Sequence, residues 1–278
     1  MPETPPPPAP IPNVTKLDEV VEAIESIIDW SIGASSRLGY FAALYKRITI
    51  AVRTAVQQGA FEDGPRMERL DVTFASRYFD ALNGYFHPNE YPKPTQSWQE
   101  TFDAASRAEP IILQHMLGGV NVHIALDLGI AAQTIGPGPQ LRKLKQDFYK
   151  INAVLASQAH GIVADIDELS PALADLYAAL TDNEIFLINE AVTALRDSAW
   201  RFAAILALEP GFARPLTIWA RDRQIAGQVK LIYDPPSPVG LIGSIVCAIA
   251  ARESRDVAHN IQVLDRIAST PAPITTTI

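Results

Sequence analysis

The chain has 278 residues, 48% of them hydrophobic and 19% charged, which supplies a sizeable core and argues against global disorder. Its formal net charge of −8, with the acids spread along the chain, argues against nucleic acid or an anionic membrane as the main partner. The single Cys247 excludes an intramolecular disulfide and any cysteine-cluster metal site, and it fits a reducing compartment.

Seven of the first twelve residues are proline. Fixed φ angles and missing amide donors make residues 1–14 a polyproline-like, disordered arm outside the core, rather than a docked element. No basic stretch leads into an apolar run there, so no secretory leader is expected and the protein is read as cytoplasmic.

Helix signals begin at Thr15, where Asp18 suggests a capping box, and run to about Trp30. A second helix, over residues 35–58, carries Leu38, Phe41, Tyr45, Ile48, Val52 and Ala55 at helical spacing and closes at Gly59. Gly64-Pro65 opens a third, with Met67, Leu70, Phe74, Tyr78, Leu82 and Tyr85 on one face. After a loop rich in proline and tyrosine, Ser97 and Glu100 suggest a capping box for a short fourth helix.

Pro110 starts the helix around which the rest is organised, residues 110–135. Between Glu109 and Arg142 its only formally charged side chain is Asp127. A helix apolar on every face belongs inside a large protein. Gly136-Pro137-Gly138-Pro139 ends it, and the next helix carries Leu141, Leu144, Phe148, Ile151, Leu155, Gln158, Ile162 and Ile166 in one long stripe. Ser170-Pro171 suggests a short helix, and Thr181 with Glu184 caps a longer one. Further helices are read over residues 215–231 and 239–268. The apolar run 239–251, of about 13 residues, is too short to span a bilayer. No alternating strands joined by hairpin turns and no internal repeat are present. The expected fold is all-α: a single domain over residues 15–268 of about nine or ten helices, followed by a flexible tail at 269–278.

The central helix should not carry Gln114, His115, Asn121, His123 and Asp127 without partners, because an unpaired buried polar group costs roughly 1–3 kcal/mol. His123 and Asp127, four apart, share a helix face. Such a pair can supply a metal ion, Zn or Fe, with an imidazole nitrogen and a carboxylate oxygen. It can equally be a general base oriented by a carboxylate, or a self-satisfied buried network. Gly118-Gly119 is unfavourable inside a helix and signals the close approach of another helix or of a ligand. Asp71 interrupts the apolar face of the third helix and Gln158 that of the long one. Tyr45 and Tyr78 could bring phenols to a common pocket. Glycine-rich phosphate loops, His-Glu-x-x-His and Gly-x-Ser-x-Gly are all missing.

The run Gln114-His115-x-Leu117-Gly118-Gly119-x-Asn121-x-His123-Ile124-x-x-Asp127-Leu128 resembles the signature of a bacterial all-helical family of unknown function. Gly59-x-Phe61-x-Asp63 and Leu70-Asp71-x-x-Phe74-Ala75-x-x-Tyr78 also fit it, so the likeness spans about residues 35–210. It implies a shared helical fold and carries over no activity. His123-x-x-x-Asp127 is also similar to one ligand pair of the helical zinc phospholipase C and nuclease group, whose further ligands are not found in this chain.

The resulting expectation is an enzyme, of hydrolase or lyase/cyclase type, acting on a small, largely apolar molecule beside the central helix. His123, Asp127 and Asp71 are the candidate catalytic residues, with Asn121, Gln114, His115, Tyr45, Tyr78 and Gln158 around the substrate. His123 and Asp127 are also the candidate metal ligands. The alternative is a non-catalytic binding or scaffold protein in which the same groups form a structural network.

Overall fold

A computed structural model of the chain describes residues 5–170, 184–235 and 246–274. The described residues hold ten α-helices and no strand. They are α1 (Leu17–Ala34), α2 (Leu38–Gln57), α3 (Gly64–Phe86), α4 (Gln96–Ala104), α5 (Ile112–Val122), α6 (Gly129–Ile135), α7 (Leu141–Leu169), α8 (Glu184–Leu208), α9 (Arg214–Tyr233) and α10 (Val257–Ala268). None of them is long and apolar enough to cross a membrane. The short helix expected after Ser170-Pro171, the Thr181 cap and the 239–245 part of the last expected helix lie outside the described residues. That last helix is interrupted: residues 246–250 form a short helical stretch, and α10 starts afresh where Asp256 accepts from the His259 amide at 3.0 Å.

The helix α1 buries Leu17, Val20, Ile24, Ile27 and Ile28 at three-to-four spacing against α2 and α10. It ends at Ser35, which takes a left-handed φ of 48°. Asp63 caps α3 through the Arg66 amide at 2.9 Å, with Pro65 in the first turn. The buried carboxylate of Asp147 on α7 holds the same corner, accepting from the amides of Glu62 (2.8 Å) and Asp63 (3.1 Å) and from the Arg66 guanidinium (3.2 Å).

The cap of α4 differs from the expected Ser97–Glu100 box. Its first turn is held from outside by Asp222 of α9, which accepts from the amides of Gln96 (2.8 Å) and Ser97 (2.9 Å) and from the Ser97 hydroxyl (2.6 Å). A carboxylate from another helix satisfies the orphan amides that a local box would have served.

The central element runs unbroken over residues 112–135, but as two α-helices joined by a π-helical segment, His123–Leu128. Its glycines sit where neighbours press closest. A Cβ on Gly118 would collide with the Tyr233 ring of α9, one on Gly119 with the Phe41 ring of α2, and one on Gly129 would lie 2.7 Å from Phe202 of α8. Helix packing, not a ligand, accounts for the Gly118-Gly119 pair. The segment is thus enclosed by α2, α9 and α8, with α3 and α4 completing the surround.

Both chain ends correct the sequence reading. The proline arm docks: Ile11 and Val14 are buried, and Asn83 of α3 pairs with both the amide and the carbonyl of Ile11, at 2.8 and 2.9 Å. Trp30 Nε1 donates to the Pro6 carbonyl at 2.9 Å, and His87 Nε2 lies 2.8 Å from that of Pro8. Prolines have no amide to leave unsatisfied, and their carbonyls remain strong acceptors, so the arm lies on the helices at little entropic cost. At the other end Gln158 pairs with the amide and the carbonyl of Ala272, at 2.9 and 3.0 Å.

Candidate functional site

The π-helical segment carries the site. Its wider turn shifts the register of a helix otherwise set by apolar packing, and such turns recur at functional positions. The Ala125 carbonyl within it accepts from Arg221 Nε of α9 at 3.1 Å, and the same guanidinium bonds Ser198 of α8 at 2.6 Å. The segment is therefore tied from two sides.

Within it, His123 Nδ1 faces Asp127 Oδ2 at 3.2 Å. Asp127 is fully buried and also accepts from Arg77 Nε of α3 (2.7 Å) and from Trp98 Nε1 of α4 (2.8 Å). Burial alone would raise its pKa; the Arg77 charge and the bonds from His123 and Trp98 outweigh that and hold the carboxyl below its usual value. An ionised carboxylate only accepts, so Nδ1 of His123 must carry the proton and Nε2 the lone pair. Burial pushes the imidazole pKa down against the pull of Asp127, which keeps the ring neutral. Phe74 stacks on the ring at 3.6 Å between centroids, and Tyr45 meets it edge-on at 4.8 Å.

This ring lines a cavity of about 380 Å³ between α2, α3, the central element, α7 and α8, a volume typical of small-molecule sites. The wall is largely aliphatic, including Leu44, Ile48, Val52, Leu70, Ile124 and Leu155. Three buried polar atoms of lining residues have no hydrogen-bond partner among the described residues: His123 Nε2, Asp71 Oδ2 and the Tyr45 hydroxyl. Buried polar groups are rarely left unpaired, and three on residues of one cavity support a ligand site, although His115 and Asn121 carry such atoms away from it. Burial raises the Asp71 pKa to about 7, with Arg196 pulling the other way, and pushes the Tyr45 phenol well above its usual value.

His123, Asp127, Asp71 and Tyr45 are therefore brought together, Asp127 standing behind His123. The other candidates are not. Gln114 closes the start of α5, accepting from the Ile111 amide at 3.0 Å and donating to the Ile232 carbonyl at 2.6 Å. Tyr78 packs between Phe41 and Trp98. Gln158 clamps the C-terminal segment, and Asn121 lies off the cavity wall. His115 is buried between Tyr40 and Tyr233, where burial drives its pKa down to about 3.

Nor are His123 and Asp127 arranged as joint metal ligands. They bond each other, and the Asp127 oxygens are taken by Arg77 and Trp98. Among the described residues no group of three or more His, Cys, Asp or Glu could hold a metal ion. The residues that sequence reasoning missed are Arg77 and Trp98, which fix the carboxylate, and Asn152 and Arg196 on the cavity wall. Asp127, a charge in an apolar helix, predicts that donors exist but not where they come from.

The fold and site define a class: an all-helical protein whose central helix carries a π-turn with a buried imidazole–carboxylate dyad facing an apolar cavity. No curated protein and no solved structure matches the chain. The chain belongs to the DUF5995 family, a family of unknown function, whose sequence profile matches residues 17–235, so it takes in the whole run from α1 to α9.

Proposed function

We propose that this protein is an enzyme that moves protons on a small, largely apolar molecule held in the cavity beside the central helix. The observation that carries this reading is the buried, unpartnered Nε2 of His123, whose opposite nitrogen is fixed by an anchored carboxylate. A purely structural network would account for Asp127, which is fully bonded, but not for the free ends of His123, Asp71 and Tyr45 on one cavity.

In this scheme His123 Nε2 takes a proton from the substrate or from a water molecule, and Asp127 stabilises the imidazolium that forms. Asp71, protonated at and below about pH 7, gives a proton to the developing oxyanion or leaving group. Both groups then re-equilibrate with solvent. A carrier that binds the same ligand without turnover is the second reading, favoured by the mainly aliphatic wall.

Two measurements test the proposal. In 15N NMR, His123 should appear as the neutral Nδ1–H tautomer, and Asp127→Asn should convert it wholly or in part to Nε2–H; a wild-type ring protonated at Nε2 would leave no base on the cavity. The second incubates the protein in D2O with apolar ketones, aldehydes and secondary alcohols, reading deuterium uptake or elimination. His123→Asn should slow any turnover by about a hundredfold or more while the fold persists. Unchanged turnover would sink the reading, and binding without turnover would favour the carrier.

A further inference from the structure

The cavity wall also holds a cation that has no counter-ion among the described residues. Arg196 of α8 is 4% exposed, and its Nε donates to Asn152 Oδ1 at 2.6 Å and Nη2 to the Phe148 carbonyl at 2.5 Å. Its guanidinium lies over the Phe148 ring, 4.5 Å from the centroid. Both acceptors are neutral. No carboxylate of the described residues lies within ion-pair distance of it, whereas the buried Lys46 is matched by Asp265 at 2.9 Å.

A buried guanidinium without an anion is costly to keep, and its pKa is driven down by burial to about 10. Asp71 shares the cavity but forms no bond to Arg196, and it holds its own proton up to about pH 7. Among the described lining residues Arg196 is the one cation, with Asp71 and the exposed Glu190 as the carboxyl groups and aliphatic side chains Leu44, Ile48, Val52 and Leu155 around the remaining space.

Resting on the reading of this cavity as a ligand site, we infer that its ligand is an amphipathic acid, with a carboxylate paired to Arg196 and an aliphatic body among the apolar side chains. One guanidinium suits a monoanion, and the carboxylate of Glu190 on the same wall disfavours a second negative charge on the ligand. Asn152 and Phe148 hold the guanidinium in place, so that little side-chain entropy is lost when the anion arrives.

The test is calorimetric titration of the full chain with octanoate and with octanamide, which has the same shape and no charge. Binding is located by the shift of the His123 imidazole resonances. Octanoate should bind about tenfold or more tightly than octanamide, and Arg196→Met should abolish that preference while Arg196→Lys keeps part of it. If Arg196→Met does not fold, the comparison in the wild-type chain still decides. Equal affinities for acid and amide, or a preference that survives Arg196→Met, would overturn the anchor and leave the His123 reading standing. Failure of both compounds and of their six- to twelve-carbon homologues to shift His123 would overturn the anchor and the cavity site together.

Discussion

Replacing Asp71 by asparagine asks whether the cavity wall holds a carboxyl group against that group's own preference. Asp71 is buried, its Oδ2 has no donor, and burial raises its pKa from 3.8 to about 7 despite the opposing pull of Arg196. The unfolded chain gives up this proton near pH 4, whereas the folded chain keeps it until about pH 7. Stability is therefore drained as pH rises through that window and levels off above it. About three pKa units at about 1.4 kcal/mol each set an upper bound of about 4 kcal/mol. Asparagine removes this penalty but buries an amide with two donors of its own, which returns about 1–2 kcal/mol. The expected result is a net gain of about 2–3 kcal/mol near pH 8, or a rise of about 4–10 °C in Tm, with no gain near pH 4. Urea denaturation followed by circular dichroism at the two pH values measures it. A gain of equal size at both, or a loss near pH 8, would refute the buried-acid argument.

Gly119→Ala should cost about 2 kcal/mol or more, because the new methyl runs into the Phe41 ring, itself packed against Tyr45, Tyr78, Trp98 and His123. Gly33→Ala on α1, where nothing lies within 4 Å, should instead stabilise by about 0.5–1 kcal/mol; chemical denaturation of both variants checks the contrast. Deleting residues 1–12 should lower Tm by several degrees, since it strips Ile11 from Asn83 and uncovers Trp30; an unchanged Tm would show that the arm contributes nothing to the folded state.

The helical architecture was legible because its signals are local. The stripe Leu141, Leu144, Phe148, Ile151 is buried as its spacing demands, and Asp63 with Pro65 starts α3. At the site, His123, Asp127 and Asp71 stood out as polar groups in apolar surroundings. The rest depends on pairings across long stretches of chain, which no periodicity encodes. Arg77 reaches Asp127 across 50 residues, and Asp222 reaches Ser97 across 125. The polar residues that lie off the cavity, Gln114 and Gln158, look the same in sequence as those that line it, because clamping a backbone and facing a ligand call for the same donors. The proline arm misled for a related reason: besides the side chains of Ile11 and Val14, its docking uses main-chain groups, which leave no trace in side-chain pattern.

The π-turn makes the central helix sensitive to residue count as well as residue identity. Losing one residue between positions 123 and 128 would let the segment relax into an ordinary α-helix and turn everything downstream by about 100°. Gly129 would swing away from Phe202 and a side chain would take its place in a gap only a hydrogen atom fits. A deletion of this kind, absorbed without effect in a surface loop, would here dislodge α8 together with the cavity wall it supplies. Chains of this family that fold alike should therefore keep the spacing between His123 and Gly129 fixed, even where the side chains between them differ.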